Sequence, residues 1–150
     1  MKPFRFSLEK VLNVRQLQTT KAKQALASAQ LVAGQAWMAL EQARVARVTF
    51  ETEWEARRTS RMTAGEWAAA SQTQDGLVEA AKAAADRLHS ALEVVAELRE
   101  ELVEAQRKEK ALEKLRDQQR EAHEHAMRAT EQAETDEVAQ AVGRAQKGVV

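Results

Sequence analysis

The sequence predicts an all-α protein, a long two-helix antiparallel coiled-coil hairpin. The 150-residue chain contains one proline, five glycines, no cysteine and 31% charged residues, a composition typical of long helices. Its apolar residues recur at alternating spacings of three and four, the heptad period of coiled coils. Weak helix formers cluster near the middle, between two segments that otherwise favour helix. Together these observations predict two helical arms joined by a tip.

The first arm is predicted over residues 7–58. Ser7 is the candidate N-cap, and Glu9 lies in the first turn, where a carboxylate stabilises the positive end of the helix dipole. Within the arm Gly34 is a helix breaker that costs about 1 kcal/mol relative to alanine. A heptad seam with one charged interruption consists of Ala22, Leu26, Ala29, Ala33, Ala36, Leu40, Ala43, Arg47, Phe50 and Trp54.

The second arm is predicted over residues 77–142, followed by a frayed tail over 143–150. Its seam is predicted at Leu88, Leu92, Val95, Leu98, Leu102, Ala105, Leu112, Leu115, Ala122, Ala126, Ala129 and Ala133. The phase of this pattern slips by about one residue between Leu102 and Leu115. Such a slip locally changes the winding of a supercoil.

The tip is predicted over residues 59–76. Thr63 and Glu66 have the spacing of a capping box, which allows a short helix at about 64–74. Asp75–Gly76 is a turn signal, where the last long helix would start. A central break between arms of similar length favours an antiparallel hairpin, and the whole chain is predicted to form a single coiled-coil domain.

Composition and charge restrict the function classes. Much of the apolar content is alanine, so the predicted core is thin. The formal net charge is zero, which argues against a general nucleic-acid binder, although the first 23 residues lean basic. The basic end fits a solvated helix terminus or an anionic partner. Since no apolar run approaches the ~20 residues that span a bilayer and no signal-peptide core follows the N-terminus, a cytoplasmic protein is expected.

No pattern of catalytic residues is recognised, so the chain is not expected to be an enzyme or to hold a cofactor. The one cluster of ligand-type side chains is Glu121, His123 and His125. On a helix the two histidines lie on opposite sides, and Glu121 with His125 gives two ligands, fewer than the three or four that zinc uses. Exposed polar residues are therefore predicted here, with no metal site.

The aromatic residues allow two interpretations. A two-helix core is too narrow to enclose Trp37, Trp54 and Trp67 fully. They either pack across the tip, with Met62 beside them, or form an aromatic anchor for a partner. Likewise, Phe6 either packs onto the first turn of the helix or belongs to an exposed apolar end that enters a partner's cavity.

Two stretches resemble the FliJ family of flagellar export proteins. FRFSLEKVLNVRQLQ resembles the family's opening pattern, which is aromatic-basic-aromatic-x-Leu. In the family a leucine pair and an arginine follow this pattern, and Leu12 and Arg15 follow it here. KEKALEKLRDQQREAHEHAMRATEQAETDEVAQ resembles its second signature, a charged run around ALEKL with a later acidic pair, Asp136 and Glu137, before Val138. The basic run of many members is diluted here by Gln118, Gln119, Ala122 and Ala126.

The resemblance implies an antiparallel coiled coil similar to the stalk of rotary ATPases. Such a protein binds and stimulates the flagellar export ATPase ring, contacts the export gate protein and takes part in handling substrate chaperones. It implies a cytoplasmic protein held at the inner face of the cell membrane only through its partners. The alternatives are the equivalent stalk of an injectisome-type secretion system, a scaffold that homodimerises through the same seam, and a nucleic-acid binder.

We assign hypothetical partner-binding residues to the two ends of the predicted hairpin. The chain termini would bind the ATPase ring through Phe4, Phe6, Leu8, Leu12, Arg15, Arg116, Arg120, Asp136 and Glu137. The tip would bind the export gate through Trp54, Met62, Trp67 and Leu77. The first set follows the family motifs, and the second follows from the aromatic residues at the tip.

Overall fold

The computed structural model describes residues 2–148 and shows an all-α hairpin of two long helices that pack against each other, with no strand in that range. Helix α1 spans Glu9–Arg57 and helix α2 spans Ala64–Lys147. The predicted fold class is therefore confirmed. Over the residues described, neither helix has a segment apolar enough to cross a membrane.

The chain divides into two compact units, and both helices contribute to each of them. Met1–Gln18 and Ala105–Val150 form one unit, named here the terminal unit. Thr19–Glu104 form the other, named here the tip unit.

Helix α1 begins two residues later than predicted. The Phe6 carbonyl accepts a hydrogen bond from the Glu9 amide (3.2 Å), and the Leu8 carbonyl accepts the first helical bond from Leu12 (2.9 Å). Ser7 thus lies in the turn before the helix, and the cap position is Leu8. The Phe6 side chain is buried, so this apolar side chain packs at the point where the helix starts.

Side-chain oxygens close both helix ends at the tip. The Thr59 hydroxyl donates to the Ala56 carbonyl (3.0 Å) and the Ser60 hydroxyl donates to the Arg57 carbonyl (2.8 Å), which satisfies carbonyls in the last turn of α1. The Glu66 amide donates to the Thr63 hydroxyl (3.2 Å), and the Thr63 amide donates to the Glu66 carboxylate (3.3 Å). This is the predicted capping box, and it starts α2.

Helix α2 does not stop at Asp75–Gly76. It continues through this pair, so the helix that starts at Ala64 is the first part of the second long helix rather than a separate short one. Gln74, Leu77 and Val78 are half-buried on either side of the pair. This packing offsets the cost of about 1 kcal/mol for one glycine inside a helix.

The predicted frayed tail is largely helical. Helix α2 runs past the expected end at residue 142 to Lys147, while residues 149 and 150 lie outside the described range. From residue 128 to 147 every residue is exposed except Gly143, which is half-buried. This segment is thus a helix that packs on little else within the terminal unit.

The seam of α1 is confirmed. Its predicted members are buried or half-buried, with the exception of the charged interruption, Arg47. Leu40 and Ala33 are buried among them. The same spacing extends toward the N-terminus through buried Thr19, half-buried Arg15 and buried Leu12.

The seam of α2 is only partly as predicted. Leu88, Val95, Leu98, Leu102, Ala105, Leu112 and Leu115 are buried or half-buried. Leu92 is about half exposed, because the seam passes through Ala91 instead. Four predicted seam residues further along α2 are also exposed: Ala122, Ala126, Ala129 and Ala133. His123 and Met127 are half-buried in their place.

The predicted phase slip in α2 is wrong. Half-buried positions follow the same alternation of four and three through Leu98, Leu102, Ala105, Glu109, Leu112 and Arg116. A glutamate and an arginine occupy seam positions, and their aliphatic stems pack while their charged ends reach water. The heptad register of α2 is therefore continuous, although its charged seam residues make the apolar pattern look interrupted.

Val95 and Val94 provide a matched test of the seam. They are neighbours on α2, 4% and 47% exposed respectively. We expect Val95→Ala to lower the free energy of unfolding by roughly 2 kcal/mol, because two buried methyl groups are lost and a cavity forms. Val94→Ala should leave it unchanged or raise it by a few tenths of a kcal/mol, because alanine is the better helix former. Urea denaturation followed by circular dichroism measures both, and equal effects would contradict the assigned seam.

Glu109 tests the continuous register. Replacing this half-buried residue with leucine should stabilise the hairpin by about 1 kcal/mol, because a seam position then buries apolar area. Glu101→Leu, at an exposed position of the same helix, is the control and should have little effect. If the two variants have the same denaturation midpoint, position 109 does not belong to the seam.

Candidate protein-binding surfaces

The terminal unit is organised around Phe4, which precedes α1. Its ring lies 5.7 Å from the ring of His123 (centroid to centroid), tilted by 55°. The guanidinium carbon of Arg120 lies 5.8 Å from the centroid of the Phe4 ring, the arrangement of a cation–π interaction. The N-terminal segment is thus attached to α2 by an aromatic ring between a histidine and an arginine.

Two of the predicted ring-binding residues are core residues. Leu12 is fully buried and Phe6 is buried, so neither side chain presents a surface to a partner. Their role in this structure is to fix the N-terminal segment and the first turn of α1. The staple-like packing of Phe6 is therefore favoured over the interpretation of Phe6 as an exposed apolar end.

Other predicted ring-binding residues are accessible. Phe4, Leu8, Arg15 and Arg116 are half-buried, whereas Arg120 is exposed. The Arg15 guanidinium donates to Gln18 (3.1 Å), and Arg116 lies 3.4 Å from the carboxylate of Asp117. Phe4 and Arg120 are in direct contact, which makes them the centre of a basic aromatic surface.

Asp136 and Glu137 lie apart from this cluster. Both are exposed in the weakly packed part of α2, and Asp136 accepts a hydrogen bond from Gln132 (3.0 Å) one turn earlier. None of the hydrogen bonds, ion pairs or ring contacts given for the described residues joins them to the N-terminal segment. The acidic pair therefore forms a second surface of the terminal unit.

The tip unit contains three aromatic rings in a row. Phe50 and Trp54 are nearly parallel at 6.5 Å between centroids, and Trp54 meets Trp67 of α2 at 5.1 Å with a tilt of 56°. Packing across the tip is thus confirmed for Trp54 and Trp67. Trp67 nevertheless remains 51% exposed, so it can still contact a partner.

A groove of about 550 Å³ opens beside these rings. It is lined by Phe50, Glu53, Trp54, Arg57, Ser60, Arg61, Met62, Glu66, Ala69, Ala70 and Thr73. A mixed lining of apolar side chains with two arginines and two glutamates suits an amphipathic peptide segment rather than a small polar substrate. Of the predicted gate-binding residues, Trp54 and Met62 line this groove, Trp67 packs on Trp54, and Leu77 lies half-buried further along α2 outside it.

Several residues of these surfaces are not predicted from the sequence. The sequence indicates His123 only as a possible metal ligand, and it predicts no role for Arg57 or Arg61. The available signal for the groove is a pair of arginines at the end of α1 and in the following loop, between Trp54 and Trp67. Within residues 2–148 no three His, Cys, Asp or Glu side chains are grouped so that they could hold a metal ion.

Comparison with known proteins identifies the family. No curated protein sequence and no solved structure matches this chain. One protein family does, described as "Flagellar FliJ protein", and the match covers residues 4–148. It therefore includes the Phe4 cluster, both helices and the tip. Because this range is nearly the whole sequence, the chain belongs to the FliJ family of flagellar proteins.

Proposed function

We propose that this chain is a non-catalytic stalk component of flagellar protein export, acting in the cytoplasm at the inner face of the cell membrane. In this proposal the terminal unit binds the export ATPase ring and stimulates its hydrolysis of ATP. The tip unit contacts the export gate protein, and the chain also serves substrate chaperones. The observation that carries the proposal is the family match over residues 4–148, since FliJ proteins are components of flagellar export.

The terminal unit supports ring binding through its exposed chemistry. Phe4 and Arg120 present an aromatic ring and a cation side by side, and both residue types are enriched at protein interfaces. Leu8, at the cap of α1, and Arg15, on its second turn, remain partly accessible. A partner that meets this surface would therefore contact residues from both ends of the chain.

The tip unit supports a separate contact. Its groove and the half-exposed Trp67 combine apolar and charged groups on a rigid turn that is capped by side-chain hydrogen bonds. A rigid, aromatic surface loses little conformational entropy on binding. Such a surface suits a partner distinct from the one that meets the termini.

Ring binding is tested with the purified chain and the export ATPase of the same genome. We expect Phe4→Ala and Arg120→Glu each to weaken binding by about tenfold and to reduce the stimulation of ATP hydrolysis. Each substitution removes one of the two side chains of the Phe4–Arg120 pair that the partner would contact. Surface plasmon resonance and a phosphate-release assay measure the two effects. Single substitutions test binding more specifically than deletion of residues 1–8, because that deletion also removes the buried Phe6 and would disturb the fold.

The matched control for ring binding is Arg99→Glu, the same charge reversal at an exposed position of α2 in the tip unit. It should bind and stimulate like the unmodified chain. Normal binding by both terminal variants would refute the terminal assignment. Equal loss in Arg120→Glu and Arg99→Glu would indicate a general effect of charge.

Gate binding is tested by two tryptophan substitutions. Trp67→Ala should weaken binding to the cytoplasmic domain of the export gate by roughly tenfold, because a half-exposed ring at the tip is lost. Trp37→Ala removes an equally exposed ring from the middle of α1 and should not change it. Isothermal titration calorimetry gives both affinities, and circular dichroism confirms that the helices are retained. A larger loss for Trp37→Ala would contradict the tip assignment.

A further inference from the structure

The turn of the hairpin carries an arginine cluster that consists of Arg57, Arg58 and Arg61. All three residues are exposed, and among the described residues none of their guanidinium groups forms a hydrogen bond or an ion pair. Further back on α1, by contrast, Arg44 and Arg47 are each paired with a glutamate at 2.9 Å. Because like charges this close together repel one another, an anionic partner would stabilise the cluster.

The acidic residues of the tip lie behind the arginine cluster. Residues 56–65 contain no acidic side chain. On α1 the nearest carboxylates are those of Glu53 and Glu55, and on α2 the nearest is that of Glu66, which accepts the Thr63 amide (3.3 Å) in the capping box. These carboxylates are set back from the arginines by up to about one helical turn. A surface that approaches the end of the hairpin therefore meets positive charge first.

The arginines are distributed around the end of the hairpin. Arg57 and Arg61 line the groove on one side of Trp54. Arg58 lines a separate depression that also includes Trp54, together with Glu55 and other residues. A linear peptide bound in the groove would reach two of the three guanidinium groups, whereas a broad anionic surface meeting the end of the hairpin would reach all three. The distribution thus favours a surface with many anionic groups.

We propose that the end of the tip unit binds directly to the headgroups of anionic phospholipids through the arginine cluster. Guanidinium groups suit this ligand because they donate paired hydrogen bonds to phosphate oxygens. Trp67, on the first turn of α2, is half exposed, and tryptophan rings are frequent at the headgroup level of membranes. This binding needs no other protein, so it goes beyond the contact with the export gate.

The number of arginines sets the expected strength of binding. A basic residue close to an anionic membrane surface strengthens binding by about fivefold, so three give on the order of a hundredfold. The carboxylates behind the cluster reduce this gain. The contact is therefore weak by itself and becomes effective when a second contact, such as that with the gate, holds the tip near the membrane.

Sedimentation of the purified chain with lipid vesicles tests the proposal. Vesicles of equal parts phosphatidylglycerol and phosphatidylcholine should bind the chain, whereas vesicles of phosphatidylcholine alone should not. The bound fraction should fall when salt is raised from about 50 to about 300 mM, because the shorter screening length weakens the attraction. Absence of binding to the anionic vesicles at low salt would overturn the proposal.

Charge reversal tests whether the arginine cluster is responsible. Arg58→Glu should weaken vesicle binding by roughly 20-fold, because it removes one positive charge and adds a negative one. Arg58 does not line the groove, so the groove keeps its own charges. The controls are Arg99→Glu, at an exposed position of α2, and Lys10→Glu, at an exposed position in the basic N-terminal stretch. Both should bind like the unmodified chain, and circular dichroism confirms that the helices are retained. A loss with Lys10→Glu as large as that with Arg58→Glu would assign lipid binding to the N-terminal stretch instead.

Thiol labelling tests the orientation on the membrane. The chain has no cysteine, so Ala64→Cys places a single thiol at the exposed start of α2. Met38→Cys places one at an exposed position of α1, nineteen residues before Arg57 and thus about 30 Å from the end of the helix. A polarity-sensitive fluorophore should brighten on anionic vesicles at position 64 and remain unchanged at position 38. Brightening at both positions would show that the hairpin lies flat and would refute binding through its end.

A short polyglutamate peptide distinguishes a lipid surface from an acidic protein segment. If the peptide binds the chain and Arg58→Glu abolishes this binding, while anionic vesicles do not bind, the arginine cluster belongs to a protein contact and the lipid proposal is wrong. The vesicle assays contain no gate protein, and the affinity for the gate is measured without lipid. Failure of this inference is therefore distinguishable from failure of gate binding.

Discussion

Everything in this structure depends on one narrow contact, the seam between two helices. Each helix can bury a single stripe against the other, and much of that stripe is alanine. Among the described residues the buried apolar side chains are few, and Leu12 is the largest that is fully buried. A seam of this kind contributes little free energy per turn, so the fold relies on many turns of correct register. It also leaves most of each helix in water, where partners can reach it.

The sequence allowed some parts of this architecture to be predicted and concealed others. The seam of α1 could be predicted because apolar residues, most of them alanine and leucine, occupy every seam position except Arg47. The seam of α2 could be predicted only in part, because Glu109, Arg116 and His123 occupy seam positions where an apolar residue is expected. The capping box was predictable because its two hydrogen bonds join residues three apart. The predicted helix start at Asp75–Gly76 does not occur, because packing on both sides of the pair outweighs the local preference of one glycine.

The candidate surfaces show a similar division. Residue type pointed to the aromatic and basic residues at both ends, but burial separates those that support the fold from those that a partner can touch. Phe6 and Leu12 belong to the first group, and Phe4 with Arg120 belongs to the second. Their contact with each other depends on how the segment before α1 meets α2, which no local pattern encodes.

The paired tryptophans at the tip have an optical consequence. The chain contains no tyrosine and three tryptophans, so its ultraviolet emission comes almost entirely from indole rings. Two of the three, Trp54 and Trp67, lie 5.1 Å apart on different helices. Separation of the helices at this point would change both the exciton coupling between the rings and their contact with water. Tryptophan fluorescence therefore reports, without any added label, whether the two helices are packed together at the tip.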